Sequence, residues 1–501
     1  MKFATKLNAT LIVSALAISG AIAQNPEFKH LKSIPLGTLF DGANTLGVGT
    51  DAADVAFDGT NAYVVGYATG ASGSSSTHGV IKIDNLLGNH NVGASALLQV
   101  AGAGNNGMSM IEFTNNALYV GTGLMINNSE ALCGIRKFDT SGNLDVTWAG
   151  DGVVSPADCS SSTRLDAISV DPGWGGSPVS IGVVARARGF LFRRDVLNGF
   201  DNGNAQWSTV INSNTWRDVA FDANGNSWYR AQNDVLFAER IAANGNPSFN
   251  AMVNLVDNTS QENVNQNVAY VPGNGSLFGS FLCYNNRSSG QNFVNVVSTT
   301  GAPISQLNGA EGGIGTAFTN TLLNFKGIEV GGKSYLLVVN ASASDRLEVY
   351  AVGRYATIGG YTVLEGEEFE GGLTNLLSSD DAYVSVFNDP TTLAARVEVS
   401  ATAPVSSASR VEVAVESSVD RPGLSLGVFL YNFVSGAPVF LGGNTATPTD
   451  SVLSAGRDNP QEFIGSGNEI RVRLNWAPIN DEDPSQDGWL HKIDQVQVFL
   501  Q

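Results

Sequence analysis

Cysteine and histidine are scarce in this chain: three Cys and four His in 501 residues. Three cysteines in so long a chain build no disulfide framework. In an exported protein Cys133 and Cys159 are the pair that would close a modest loop, with Cys283 left over. His30, His78, His90 and His491 stand far apart, which argues against a histidine-built zinc site. Basic residues are also few, 27 Lys and Arg against 46 Asp and Glu, for a formal net charge of −19. Such a field repels nucleic acid and anionic lipid, so neither is an expected partner. Beyond the N-terminus no stretch approaches the ~20 uncharged apolar residues of a membrane helix, and no membrane insertion is expected. There is no G-x-S-x-G, no H-E-x-x-H and no P-loop; the glycine-rich "GAGNNG" (Gly102–Gly107) lacks dinucleotide spacing and a following helix.

What is present is glycine, 57 residues, and a 43% hydrophobic content sufficient for a packed core. The first 23 residues hold Lys2 and Lys6, an apolar run from Leu11 to Ile18, then Ala21 and Ala23. That charge–apolar–small order is the pattern of a secretory signal cleaved near Ala23, whereas a buried N-terminal helix would not need it. The expected location is therefore extracellular, at the cell surface, or periplasmic.

A short pattern then recurs: an apolar strand, a turn rich in Asp, Gly or Asn, and a second strand. It begins at Val55, Ile111, Ile168, Val219, Val268 and Ile328, roughly 50–60 residues apart. Asp58, Asp171 and Asp222 sit directly after the first strand, where an Asp side chain bonds turn backbone. Units of about four strands without helical periodicity predict an all-β fold, a six-bladed β-propeller over 24–355. The strand-like segment from Phe28 to Phe40 has no unit of its own and is expected to complete the sixth blade. The "DVAFD" cores at Asp54–Asp58 and Asp218–Asp222 resemble NHL-type secreted propeller repeats. The resemblance implies fold and not activity.

After a linker at 356–365, residues 366–501 alternate in short runs such as "ARVEVSAT", "LSLGVFLYNF" and "KIDQVQVF". This predicts a jelly-roll-like β-sandwich. "VEVAVESS", "NEIRVRLNW" and the closing "KIDQVQVF" resemble a C-terminal module of large exported proteins of environmental bacteria. In outline the region is also similar to galactose-binding-like carbohydrate modules. These likenesses imply surface retention or carbohydrate contact.

Residues leading each inner strand would meet at one mouth of the propeller channel: Asp54, Arg164, Asp166, Trp216, Arg217, Asp218, Asn267 and Lys326. A mixed polar rim with a tryptophan platform suits a sugar or other polar ligand. The alternative is that these side chains bond one another and turn backbones, holding the blades together. No catalytic residue and no cofactor are expected. Calcium is the ion that oxygen ligands here would suit, and Glu365 and Glu367 with Asp494 form one such set if their strands are neighbours. A solvated acidic strand edge is the alternative for that set. "NDEDPSQDGW" (Asn480–Trp489) lacks the glycine and terminal glutamate of a helix–loop–helix calcium loop. The expectation is an exported, non-catalytic binding or scaffold protein whose partner is an extracellular glycan or protein, with oligomeric state open. The rival is a propeller hydrolase or lyase acting on polysaccharide or a lactone.

Overall fold

The computed structural model describes residues 25–36, 50–68, 77–93, 96–101, 108–122, 134–154, 165–172, 179–185, 190–195, 208–210, 218–225, 227–231, 235–239, 253–256, 267–275, 277–288, 291–299, 303–307, 323–340, 345–479 and 488–501. The fold is all-β; helical turns among these residues are short 3-10 segments such as Leu373–Leu376. The signal segment, Cys133, Cys159, Arg164, Trp216, Arg217 and residues 480–487 lie outside the described residues. No helix of the described residues is long and apolar enough to cross a membrane.

Six antiparallel sheets follow one another along the chain, each led by one inner strand. The inner strands are Thr50–Phe57, Met108–Thr114, Leu165–Asp171, Asp218–Phe221, Val268–Val271 and Leu323–Val330. Each touches the next in chain order, and the sixth touches the first. The sixth sheet has three consecutive strands, Leu323–Val330, Lys333–Asn340 and Arg346–Tyr355. Its fourth is Glu27–Pro35, which runs antiparallel to Arg346–Tyr355 from Glu27 opposite Gly353 to Pro35 opposite Arg346. The unassigned N-terminal segment thus joins the last sheet, as the unit count implies.

The turns explain the recurring aspartates. Asp58 Oδ1 accepts the N–H groups of Thr60 (2.8 Å) and Asn61 (2.6 Å), while Tyr63 donates its hydroxyl to Oδ2 at 2.8 Å. These bonds hold the Asp58 carboxyl below its ordinary pKa despite partial burial. Asp139 binds Ser141 and Asn143 the same way in the second sheet, and Asp222 binds Asn224 in the fourth. The carboxylate stands in for a strand partner where the chain reverses.

The C-terminal region is two facing sheets. One has the order Thr357–Glu365, Ala395–Thr402, Glu469–Pro478, Leu424–Asn432, Ala437–Thr445. The other runs Glu367–Glu370, Val384–Phe387, Leu490–Leu500, Arg410–Val419, Ser451–Asp458. Leu424–Asn432 alternates buried and half-buried residues along its whole length, the signature of a strand with one face in the core. Val397, Leu474 and Val428 face Val413, Val415 and Val498 across one apolar interior.

One expected boundary needs correction. Residues 356–365 are no linker: Thr357–Glu365 pairs with Ala395–Thr402 as an edge strand of the sandwich. Nor are the two regions separate. Arg354 and Tyr355 pair with Leu500 and Phe499, and one continuous core contains Phe281, Leu336 and Val352 together with Val413 and Val498.

Close approach of inner strands is set by glycine. A Cβ on Gly327 would lie 2.1 Å from the Tyr270 carbonyl oxygen and 2.8 Å from Val271 Cα, both backbone atoms that cannot swing aside. Gly327→Ala is therefore expected to push the fifth and sixth inner strands apart, costing about 1–3 kcal/mol. Chemical denaturation checks this, and an unchanged midpoint would contradict the packing described.

Candidate functional site

All six inner strands line one cavity of about 220 Å³. Its polar wall is formed by Asp54, Glu112, Ser169, Asp218, Asn324 and Lys326. The acids on this wall are engaged with neighbouring strands.

Asp54 accepts the N–H of Val55 on Oδ1 (2.8 Å) and that of Ile111, in the second inner strand, on Oδ2 (2.9 Å). Asp218 repeats the arrangement: Oδ1 takes the N–H of Val219 and Oδ2 that of Val268 in the fifth inner strand, both at 2.8 Å. In the sixth strand Asn324 does the equivalent work. Its Oδ1 accepts from Phe325 N–H at 2.8 Å and its Nδ2 donates to the Ala53 carbonyl at 3.2 Å, reaching the first strand. The repeat in the sixth unit therefore aligns on Phe325, three residues before the Ile328 suggested by hydrophobicity.

That alignment exposes a residue overlooked in the sequence. One place further on, the six units carry Ala56, Glu112, Ser169, Ala220, Ala269 and Lys326. This column holds two charges of opposite sign, and they meet: both Glu112 oxygens accept from Lys326 Nζ, Oε1 at 2.5 Å. Glu112 is 5% exposed, so the acid end of the pair is buried, whereas the Lys326 side chain is 26% exposed. Comparing the six units column by column would have found it.

Burial dominates the electrostatics. It raises the Asp54 carboxyl well above the usual range, reinforced by the Glu112 charge and opposed by the Ile111 N–H. Burial likewise pushes Asp218 up to about 7 against the pull of its two backbone donors. Glu112 is raised by burial and drawn back by Lys326.

The remaining expected site residues fall elsewhere. Asp166 lies within the third inner strand at a register shift between Leu165 and Ala167, one position ahead of the place Asp54 holds in its unit. Asn267 precedes the fifth inner strand, and its neighbour Val268 is the residue that lines the cavity. Lys326 does reach the cavity, from mid-strand and not from a leading end. The acidic set at the sandwich separates. Glu365 ends a strand of the five-stranded sheet and meets Arg396 at 2.9 Å. Glu367 is exposed, opposite Phe387 in the other sheet. Asp494 is buried beside Asp381 and Asp450 instead. Cys283 is a free, fully buried thiol whose pKa burial raises, an unreactive core residue. No protein-family model matches this chain and no curated protein matches it, so its function is argued from the site itself.

Proposed function

We propose that this chain is an exported, non-catalytic binding or scaffold protein. In this reading the six sheets form a six-bladed β-propeller whose central cavity receives a polar ligand or the end of a glycan. The β-sandwich serves surface retention or carbohydrate contact. The observation that carries the proposal is the state of the cavity's acids: Asp54 and Asp218 each spend both oxygens on backbone N–H groups that tie inner strands together, and Glu112 is held by Lys326. The cyclic contacts of the inner strands and the N-terminal strand in the sixth sheet support the propeller. A volume of about 220 Å³ is below the ~300–1,000 Å³ of ordinary small-molecule sites, which favours a small ligand or a chain terminus. Export rests on the charge–apolar–small order of residues 1–23.

A second reading, a hydrolase or lyase of extracellular polysaccharide or a lactone, draws on one fact. Burial pushes the Asp218 carboxyl up to about 7, in the range that suits a general acid or base. Its two backbone bonds argue that it is structural.

A glycan array probed with the mature protein tests the proposal, alongside the double variant Lys326→Met/Glu112→Met, which removes both charges and leaves neither stranded. Binding to a defined glycan class that falls at least about tenfold in the folded double variant is the expected result. Turnover of a glycan or lactone that disappears in Asp218→Asn would instead establish the enzyme. Binding that ignores the double variant would move the ligand site out of the cavity.

A further inference from the structure

We propose that the outer face of the five-stranded sheet binds an internal stretch of a neutral, unbranched glycan. The inference rests on reading the sandwich as a carbohydrate-contacting part, and it names the face, the residues and the kind of glycan. Leu424–Asn432 turns every second residue into the apolar interior, so Ser425, Gly427, Phe429 and Tyr431 fall on the opposite, outward face. Phe429 stands opposite Phe440 of Ala437–Thr445 on one side and opposite Arg473 of Glu469–Pro478 on the other. Arg473 in turn stands opposite Glu398 of Ala395–Thr402. One row thus crosses four strands, from two aromatic rings to an ion pair.

The aromatic end of the row is open. Phe440 is 59% exposed and meets Phe429 edge to face, with 5.3 Å between centroids. Both rings recline on glycine: a Cβ on Gly427 would lie 3.0 Å from the Phe429 ring, and one on Gly443 3.4 Å from that of Phe440. Gly427 and Gly443 are themselves opposite each other, so bare backbone floors the sheet beside the rings. Two residues along from Phe429, Tyr431 lies under the Arg471 guanidinium, which also covers Phe433, at 5.3 and 5.5 Å from the two centroids.

Beside this stripe run three Arg–Glu pairs: Arg396–Glu365 at 2.9 Å, Arg473–Glu398 at 2.8 Å and Arg471–Glu469 at 2.7 Å. Their charges cancel, on a chain whose formal net charge is −19. A locally neutral surface on so acidic a protein is complementary to an uncharged partner. The pairs also keep hydrogen-bonding capacity in reach of solvent, since a guanidinium carries several donors and the Arg396 and Arg471 side chains are 46% and 36% exposed. A sugar ring has an apolar C–H face and a rim of hydroxyls. The first suits Phe440 and Phe429, and the second suits the charged planar groups alongside. The aromatic stripe is two strands wide, about 10 Å at ~4.8 Å per strand. That width fits one sugar chain and is narrow for the ~800 Å² that each partner buries in a stable protein complex. An open sheet face accepts a chain passing over it, whereas the central cavity suits a small ligand or a chain end.

The test is affinity gel electrophoresis of the full-length mature protein in soluble mixed-linkage β-glucan, xylan and mannan, with alginate as the acidic comparison. Retardation by at least one neutral polymer, stronger than by alginate, is expected. Phe440→Ala should weaken it at least about tenfold and Phe440→Trp should retain it. Phe440 is largely exposed, so its truncation leaves the interior intact. Arg473→Met/Glu398→Met, which removes a whole ion pair, should also weaken retardation at least about tenfold. No retardation by any neutral polymer would overturn the proposal, as would retardation undiminished in Phe440→Ala and in the ion-pair variant. Self-association in sedimentation that Phe440→Ala abolishes, without retardation, would make the face a contact between copies and overturn it too. The cavity variant Lys326→Met/Glu112→Met separates the two sites, because a long polymer presents few ends. Retardation lost there and kept in Phe440→Ala would sink this proposal and uphold the cavity. Retardation lost only in Phe440→Ala, with array binding indifferent to the cavity variant, would uphold the face and sink the cavity.

Discussion

Acidification from pH 7 to pH 3 should weaken the C-terminal sandwich, and His491→Phe should remove the part of that loss that His491 causes. His491 is 0% exposed, stacked 4.1 Å from Trp476 and 6.0 Å from Trp489 by ring centroids. Burial depresses its pKa to about 3, with the Val386 backbone opposing weakly. The ring stays neutral in the folded chain while the unfolded chain takes up a proton below about 6.5. The unfolded state therefore binds more protons throughout the window from about 6.5 down to about 3, and stability falls as pH falls. Integrated over that window the loss is on the order of 4–5 kcal/mol. Phenylalanine fills the slot without a titrating group, so its advantage over the natural side chain should grow as the pH drops. Guanidinium midpoints followed by tryptophan fluorescence at pH 7, 5 and 4 measure this. Parallel pH profiles for the two proteins would refute it.

Asp218→Ala should loosen the junction between the fourth and fifth inner strands. The substitution strands the N–H groups of Val219 and Val268, each now bonded at 2.8 Å. An unsatisfied buried donor costs about 1–3 kcal/mol, so two of them give a loss of roughly 2–6 kcal/mol. Hydrogen exchange at the Val268 amide reports it locally, with protection expected to drop by at least about a hundredfold. Exchange unaltered at that amide would mean the carboxylate does not tie the strands. The acid also has a pH signature opposite to that of His491. Its folded pKa, about 7, lies above the unfolded value near 3.8, so the folded state holds its proton longer. Asp218 thus favours folding at low pH and loses that contribution as pH rises from about 4 to about 7. Asp218 and His491 thus respond to acid in opposite directions.

Local chemistry was the legible part of this sequence. Asp58 and Asp222 announce their turns because a carboxylate bonds backbone two or three residues away, within the window a reader scans. The N-terminal strand could be placed by counting units. Long-range pairings left no such trace. Glu112 and Lys326 lie 214 residues apart, and "IEF" looks like ordinary strand alternation until the units are aligned. In the sixth unit hydrophobicity points to Ile328 and conceals Asn324, an amide doing what acids do in units one and four. Asp494 was noticed, but its companions Asp381 and Asp450 sit in turns with no shared motif.

The strand Arg346–Tyr355 receives Glu27–Pro35 along its length and Phe499 and Leu500 at its end. Both extremes of the described chain thus wait on the same ten residues, made late in synthesis. The first described strand stays without its partner until more than 300 further residues have been added. Pairings of such sequence separation are slow to form, because the loop entropy is lost before the contacts compensate. Final assembly should accordingly be a late, all-or-none event, with the sixth sheet and the C-terminal sheets closing together. Chains truncated before Arg346 would retain the earlier hairpins yet leave Glu27–Pro35 without its partner, prone to pairing with the edge of another copy.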